Sequence, residues 1–310
     1  LITNLNIGRN GRLGNQLFQA ASVIGVAERT LAIYGFAGAW KTPWDCFDRP
    51  LNLLSQDAIK QIQTQTLERP LVNLSEGKMG YKNIPQLIIH NFPEEPFING
   101  DRLFNLDGYF QSEKYFAHCR PFVLDIFKPN PKILEYIDNN YPFVKDDEWT
   151  SLHVRRGDYV ELSKAHPLNP HPVQPIEYYQ KALEELDARK VLVFSDDIGW
   201  CKENFKGDKF KFVEERTHSV EEKDQSHPNF NSRSDSHLVS DYTEINLMAA
   251  CTNHIIANSS FSWWGAWLNQ DPDKKVIAPL NWFSPEYAAE AAENPLSYIN
   301  DLIPDSWKII

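Results

Sequence analysis

Val191-Leu-Val-Phe194 is a continuous apolar run of strand length, with Lys190 before it and Ser195-Asp-Asp197 after it. A strand that is apolar at every position must be covered on both faces, as happens in a parallel sheet flanked by helices. Comparable short runs recur at Ser151-Leu-His-Val154, Phe210-Lys-Phe-Val213, His254-Ile-Ile-Ala257 and Lys275 to Ala278. Segments with helical spacing lie between them. Pro175 to Arg189 puts Ile176, Tyr179, Leu183 and Leu186 on one face, and Asp241 to Cys251 and Ser260 to Asn269 follow. An earlier set opens with Leu5-Asn-Ile7 ending a strand and Asn15 to Arg29 as a helix. Alternation of this kind predicts an α/β chain. The turn-like Asn139-Asn-Tyr-Pro142 and the charged Lys145-Asp-Asp-Glu148 split it into two predicted domains, 1–145 and 146–310. Residues 215–240 carry little apolar material and read as a surface insertion.

The charge balance is 31 basic against 42 acidic residues, a net −11. That excludes a broadly basic nucleic-acid binder and means that any anionic ligand must be held by a few local donors. Aromatic residues at 13% are too abundant for a mainly disordered chain. No window reaches the ~20 apolar residues of a membrane helix. Cys46, Cys119, Cys201 and Cys251 form no CxxC pair and match no zinc spacing, so they read as reduced thiols, mostly in the core.

Four segments combine ligand-type residues with a strand-to-helix junction. Glycines 8, 11 and 14 precede Asn15 and Gln16, whose amides suit sugar hydroxyls and phosphates, at the start of a helix that can face an anion. The spacing is not GxGxxG, so a dinucleotide fingerprint fits poorly. His153-Val-Arg-Arg-Gly-Asp158 ends a buried strand, the edge where ligands bind in open α/β sheets. Arg155 and Arg156 suit diphosphate oxygens, with an ion pair to Asp158 as the structural alternative for one of them. In Ser195-Asp-Asp197 the carboxylates can accept from ribose hydroxyls or cap the helix at Ile198. Asn258-Ser-Ser-Phe-Ser262 offers hydroxyls and helix-start N–H groups as a phosphate cradle. Trp263, Trp264 and Trp267 behind it read as packing residues, and His254 as a structural histidine.

Taken together, Gly11-Arg-Leu-Gly-Asn-Gln-Leu-Phe-Gln19, His153 to Asp158, Phe194-Ser-Asp-Asp197 and Asn258-Ser-Ser-Phe-Ser-Trp-Trp-Gly-Ala-Trp-Leu268 resemble the α-1,2-fucosyltransferases, the family of the blood-group H enzymes and their bacterial homologues. The motifs stand in the family's order. Ser260 replaces the usual Thr and keeps its hydroxyl. The resemblance implies a GT-B-like fold of two Rossmann-like domains facing a central cleft, with the acceptor on the N-terminal side and GDP-β-L-fucose held by the C-terminal domain. It implies inverting transfer of L-fucose to the 2-hydroxyl of a terminal galactose, without a metal. By the same resemblance the donor is held by Asn15, Gln16, His153, Arg155, Arg156, Asp196, Asp241, Ser259, Ser260, Phe261 and Ser262, with His153 and Asp241 on the guanosine. Arg155 stabilises the leaving diphosphate, and Asp158 and Glu161 are the candidate bases, with a strongly dissociative reaction that needs no dedicated base as the alternative.

Trp40, Trp44, Tyr109 and Phe110 are candidate platforms for an acceptor sugar, with core packing as the alternative for each. Another fucosyl linkage (α-1,6 or α-1,3) and an inactive nucleotide- or glycan-binding protein are the competing readings. The expected partners are GDP-fucose and a galactose-terminated oligosaccharide, with no nucleic acid and no integral membrane segment. The expected setting is the bacterial cytoplasm, at most peripheral to the inner membrane. A trimmed Golgi lumenal domain is the alternative.

Overall fold

The structure, a computed structural model, describes residues 1–9, 11–37, 46–49, 51, 53–54, 71–75, 81–91, 103–165, 170–214, 235–291 and 297–310. The chain divides into two compact units, one built on Leu1–Asn130 and one on Pro131–Lys223 and Val239–Ile310. The break thus falls ahead of helix Pro131–Asn140, a segment that the sequence reading placed at the end of the first domain.

In the first unit β1 (Ile2–Thr3) is followed by a separate parallel pair, β2 (Phe36–Ala37) and β3 (Leu53–Leu54). Then β4 (Leu71–Ser75) and β5 (Leu103–Asp107) join β1 in a parallel sheet of order β1-β5-β4. Helix Leu13–Thr30 is buried on nearly every face, with Leu17, Phe18, Ala20, Ala21, Val23 and Ile24 fully enclosed. Its Gly25 lets the 115–116 backbone approach: a Cβ there would overlap the Tyr115 carbonyl and lie 2.7 Å from the Phe116 Cα.

The first strand ends earlier than its apolar pattern predicts. At Asn4 side-chain bonds replace the ladder: Asn6 N–H donates to Asn4 Oδ1 at 2.9 Å, and Leu5 N–H donates to Asn105 Oδ1 at 2.8 Å. Asparagine competes with strand pairing in this way. Residues 5–9 are therefore turn, and Gly8 and Gly11 adopt φ of +85° and +80°, conformations that favour glycine.

The second unit contains β6 (Thr150–Val154), β7 (Val191–Ser195), β8 (Phe210–Phe212), β9 (Asn253–Ile255), β10 (Val276–Ala278) and β11 (Lys308–Ile309). They form a six-stranded sheet, parallel throughout, in the order β11-β10-β9-β6-β7-β8. Strands β6 and β7 are buried along their whole length, β7 as its continuous apolar run requires. Leu152, Val154, Val191, Val193 and Ile255 pack on Tyr178, Tyr179 and Leu183 of helix Ile176–Glu185 and on Cys201 and Phe205. Trp263, Trp264 and Trp267 form an aromatic cluster with Trp307, and Trp263 Nε1 donates to the Leu302 carbonyl at 2.9 Å. The packing reading of these tryptophans holds. Cys46, Cys201 and Cys251 are buried, Cys119 is half-buried, and all four thiols are free.

His254 is the satisfied structural histidine expected. Asn269 Nδ2 donates to its Nε2 at 2.9 Å, which leaves Nδ1–H to donate to Ser151 Oγ at 2.8 Å. Burial, reinforced by the Lys274 ammonium, lowers its pKa to about 3. Between its ordinary value of 6.5 and pH 3 the unfolded chain binds a proton that the folded chain does not. Its contribution to stability is complete above pH 6.5 and is lost as pH falls. The thermal midpoint should therefore drop on acidification below pH 6.5, and His254→Asn should flatten part of that slope. Equal slopes in the two proteins would remove His254 as its source. Gly25→Ala should cost about 1–3 kcal/mol in denaturant unfolding, as overpacking does. An unchanged midpoint would mean that the helix shifts freely.

Candidate functional site

The sheet order fixes where a site can form. From β6 the chain steps outward to β7 and β8, then returns to the other side of β6 as β9. The strand order therefore reverses between β6 and β9, and the C-terminal ends of two such neighbours leave a crevice open to ligands. Two of the sequence motifs end there. Leu152 and Ile255 are paired, so residues 155–158 and 258–262 emerge side by side. Tyr159 makes the contact direct: its hydroxyl donates to the Asn258 carbonyl at 3.3 Å.

Arg155 is nearly enclosed, with 14% of its side chain exposed. Its Nη1 pairs with Asp196 and its Nη2 with Asp158, while the guanidinium lies 5.2 Å from the Tyr159 ring centroid. A guanidinium has five N–H donors, and the two carboxylates fix its plane without using all of them. Gly157 is required by this packing, because a Cβ there would overlap Asp196 Oδ2.

Arg156 turns elsewhere. Its Nε donates to Asp197 at 3.0 Å, its guanidinium stacks 4.1 Å over Trp200, and its own N–H donates to Asp196 Oδ1 at 2.9 Å. The Ser195–Asp197 segment is equally occupied. Ser195 Oγ accepts from Asp197 N–H, and Asp197 Oδ1 caps helix Ile198–Asn204 through Trp200 N–H at 3.1 Å. Of the two roles open to Asp197, the helix cap is the one it fills.

On the β9 side Ser259 caps helix Ser260–Leu268 by accepting from Phe261 N–H at 3.3 Å, and Ser262 Oγ donates to the Ser259 carbonyl. Ser260 and Phe261 stand half-buried at the helix start, and His153 lies buried with its ring 5.5 Å from that of Phe261. Asn258 is buried and donates from Nδ2 to the carbonyls of Pro172 at 2.9 Å and Trp282 at 3.0 Å. Ser284 N–H donates to the Pro170 carbonyl and Gln174 Nε2 to the Asn281 carbonyl at 2.7 Å. Segments 170–174 and 281–284 are thus tied to each other and to the junction after β9.

The remaining predicted residues are spread more widely. Glu161 lies on helix Gly157–Ala165 with 74% of its side chain exposed, paired to Lys164 at 3.0 Å. Asp241 is half-buried on a helix that begins at Asp235, so it sits inside the helix and not near its start. Asn15 and Gln16 belong to the first unit. Gln111 Nε2 donates to Asn15 Oδ1 at 2.7 Å, and Gln16 is buried in the first turn of helix Leu13–Thr30. Phe110 is core, edge-on to Tyr115, whereas Tyr109 is exposed. Trp40, Trp44 and most of the 215–240 segment lie outside the described residues.

Tyr159, His171 and Phe283 are what the sequence reading missed. The His171 ring stacks on Tyr159 at 4.9 Å with 10° between planes and lies 5.3 Å from Phe283. Tyr159 directly follows the Arg-Arg-Gly-Asp run, which is a usable signal. His171 sits in an aperiodic proline-rich stretch and gave none. At the opposite, N-terminal edge of the sheet, an open depression of about 760 Å³ carries Asp146, Asp147, Glu148 and Asp271 against a single cation, Lys145, a net acidic setting that disfavours a phosphate.

Parallel α/β units with ligand-type residues at a strand-order reversal mark this edge as the candidate ligand site, and comparison with known proteins gives the family. The family model for glycosyl transferase family 11 matches residues 1–299. The chain belongs to that family, in agreement with its fucosyltransferase-like motifs. Among curated relatives, the O-antigen biosynthesis glycosyltransferase WbnK of Escherichia coli is 28% identical over 77% of this chain and 76% of its own length. An alpha-1,2-colitosyltransferase of Escherichia coli is 35% identical over 58% of this chain. A galactoside 2-alpha-L-fucosyltransferase of Caenorhabditis elegans is 28% identical over 61% of it. The matches span 56% and 51% of the lengths of these last two. The fold is that of solved fucosyltransferases and is GT-B-like. An Arabidopsis thaliana FUT1 variant in complex with GDP aligns at a TM-score of 0.55 and 14% identity, over 92% of this chain and 72% of that one. The NodZ alpha-1,6-fucosyltransferase soaked with GDP-fucose aligns at 0.51 and 14%, over 86% and 91%.

Gly157→Ala should displace Asp196 and release one side of Arg155. The expected result is at least a tenfold loss of transferase activity in a chain that still folds. Full activity would show that the Asp196 contact is dispensable.

Proposed function

We propose that this chain transfers L-fucose from GDP-β-L-fucose to the 2-hydroxyl of a terminal galactose, with inversion at the anomeric carbon. The observation that carries the reading is the convergence of Arg155, held by two carboxylates, with the Ser259-capped helix start at the strand-order reversal. Family membership and the names of the relatives support an α-1,2 linkage, and a galactoside 2-alpha-L-fucosyltransferase among them supports fucose as the sugar.

The chemistry follows from where charge develops. As the anomeric C–O bond breaks, negative charge grows on the β-phosphate of the departing GDP. Arg155 and the helix-start N–H groups with the Ser260 hydroxyl meet that charge as pre-oriented donors, the role usually worth most in such sites. They supply the positive field without a divalent cation. His153 and Asp241 take the guanosine side in this reading. The acceptor is a galactose-terminated glycan of the O-antigen type, met on the cytoplasmic side of a bacterial membrane. No helix among the described residues is long and apolar enough to cross a membrane. The 35% match to a colitosyltransferase favours a second reading, in which the α-1,2 linkage is kept and a different sugar is moved.

The test is GDP-fucose with lactose in the presence of EDTA, followed by NMR of the product. An α-1,2-fucosyl trisaccharide is expected. A product of another linkage, or activity only with added metal, would overturn the corresponding part of the reading. GDP binding with no fucose consumed would move the assignment to another sugar or to a binding protein. Arg155→Ala should lower kcat by about 10²–10³-fold, as loss of an oxyanion donor does, and near-normal turnover would remove Arg155 from the mechanism. Ser260→Ala should weaken GDP binding by about 3–10-fold, the worth of one hydrogen bond. Unchanged affinity would exclude the cradle.

A further inference from the structure

An inverting transfer leaves the proton of the acceptor hydroxyl to be placed, and neither carboxylate expected for that task is well set for it. Asp158 is committed to Arg155. Glu161 points to solvent from the helix after the motif and pairs with Lys164.

His171 is differently placed. Its segment is pinned at Pro170, Pro172 and Gln174 to Ser284, Asn258 and Asn281. Its ring is clamped between two aromatic neighbours, Tyr159 at 4.9 Å and Phe283 at 5.3 Å. Tyr159 is also the ring over which Arg155 lies, and it bonds the Asn258 carbonyl just ahead of the cradle. His171 is therefore a fixed imidazole at the same sheet edge as the Arg155–Asp158 pair.

We propose that His171 is the general base of the transfer, taking the acceptor hydroxyl proton while Asp158 stabilises the imidazolium that forms. The proposal rests on the fucosyl-transfer reading above. The acceptor oxygen forms its bond to the anomeric carbon and loses its proton to the imidazole. The bond from that carbon to the β-phosphate oxygen breaks, and its electron pair leaves with GDP. Positive charge thus appears at His171 as negative charge appears at the diphosphate. Asp158 faces the imidazole and is paired to Arg155.

The electrostatics agree with this task. The charged groups facing the ring are Asp158 and Arg155, the latter backed by Asp196, with the phenol of Tyr159 beneath it. From the other side it meets Phe283, whose own ring neighbours are Tyr287 and Tyr298. Burial lowers the His171 pKa below 6.5, Asp158 opposes the shift and Arg155 adds to it. The lowered pKa favours the neutral imidazole, the form able to accept a proton. Activity due to it is present above its pKa and lost below.

The experiment compares wild type with His171→Asn and His171→Gln in three measurements: GDP affinity by calorimetry, acceptor-independent hydrolysis of GDP-fucose, and transfer to lactose from pH 5 to 8. Wild-type kcat/KM should fall tenfold per pH unit below a midpoint under 6.5. The variants should lose about 10²-fold or more in transfer and lose that acid limb, with GDP affinity and hydrolysis within about threefold of wild type. A wild-type acid limb that both variants keep overturns the proposal. So does transfer within a few-fold of wild type in both variants, or a parallel loss of GDP binding and hydrolysis, which would make His171 a packing residue. A wild type that binds GDP but moves no fucose overturns the donor reading itself, and this proposal with it. Normal wild-type transfer with indifferent variants overturns only the proposal.

Discussion

The guanidinium of Arg155 between the carboxylates of Asp158 and Asp196 is the contact around which the second unit's sheet edge is arranged. An arginine this enclosed is costly unless its charge is met. Asp196 is delivered by β7, the strand paired to β6, and Asp158 by the first turn of the helix that β6 feeds. Gly157 must lack a side chain for the two to fit. The neighbouring Asp197 cannot share in this, because it caps its own helix and holds Arg156 against Trp200. Two adjacent arginines and two adjacent aspartates thus divide into an enclosed pair, Arg155 with Asp196, and a more open pair, Arg156 with Asp197, stacked on Trp200.

The second constraint is the way irregular segments are fixed. Residues 170–174 and 281–284 have no regular structure to hold them, yet they flank the site. The buried amide of Asn258 binds one carbonyl from each. It replaces ladder bonds that these segments lack, since buried backbone carbonyls need partners. The rings of Tyr159, His171 and Phe283 then fill the space between them. Rigid placement of a loop histidine follows from these ties and from no local propensity.

Legibility in the sequence tracked the reach of the interactions involved. The strand Val191–Ser195 and helix Ser260–Leu268 were readable because continuous apolarity and helix capping are local. The structural state of His254 was readable because a lone histidine on an apolar strand must be bonded. The end of β1 was not, because Asn4 and Asn105 take over its pairing through contacts made 100 residues apart. The division between Arg155 and Arg156 was equally hidden. Nothing in Arg-Arg says which one meets Asp196, and β7 decides it. His171 lay in a stretch without periodicity, and only the ties to Asn258, Asn281 and Ser284 bring it to the site.

Charge placement at helix starts ties the fold to its chemistry. An acidic residue in a helix's first turn stabilises it by about 0.3–1 kcal/mol, and some helices of the second unit use the device. Asp158, Glu177 and Glu286 stand in the first turns of the helices beginning at Gly157, Ile176 and Pro285. Helix Ser260–Leu268 carries none there, as is also true of Leu13–Thr30, Ile84–Asn91, Arg120–Ile126, Pro131–Asn140, Ile198–Asn204 and Ser297–Leu302. At the serine start the consequence is chemical, because a carboxylate there would repel the diphosphate that the proposed reaction brings. Its absence gives up a small stabilisation of the helix and keeps a positive field in a chain of net charge −11.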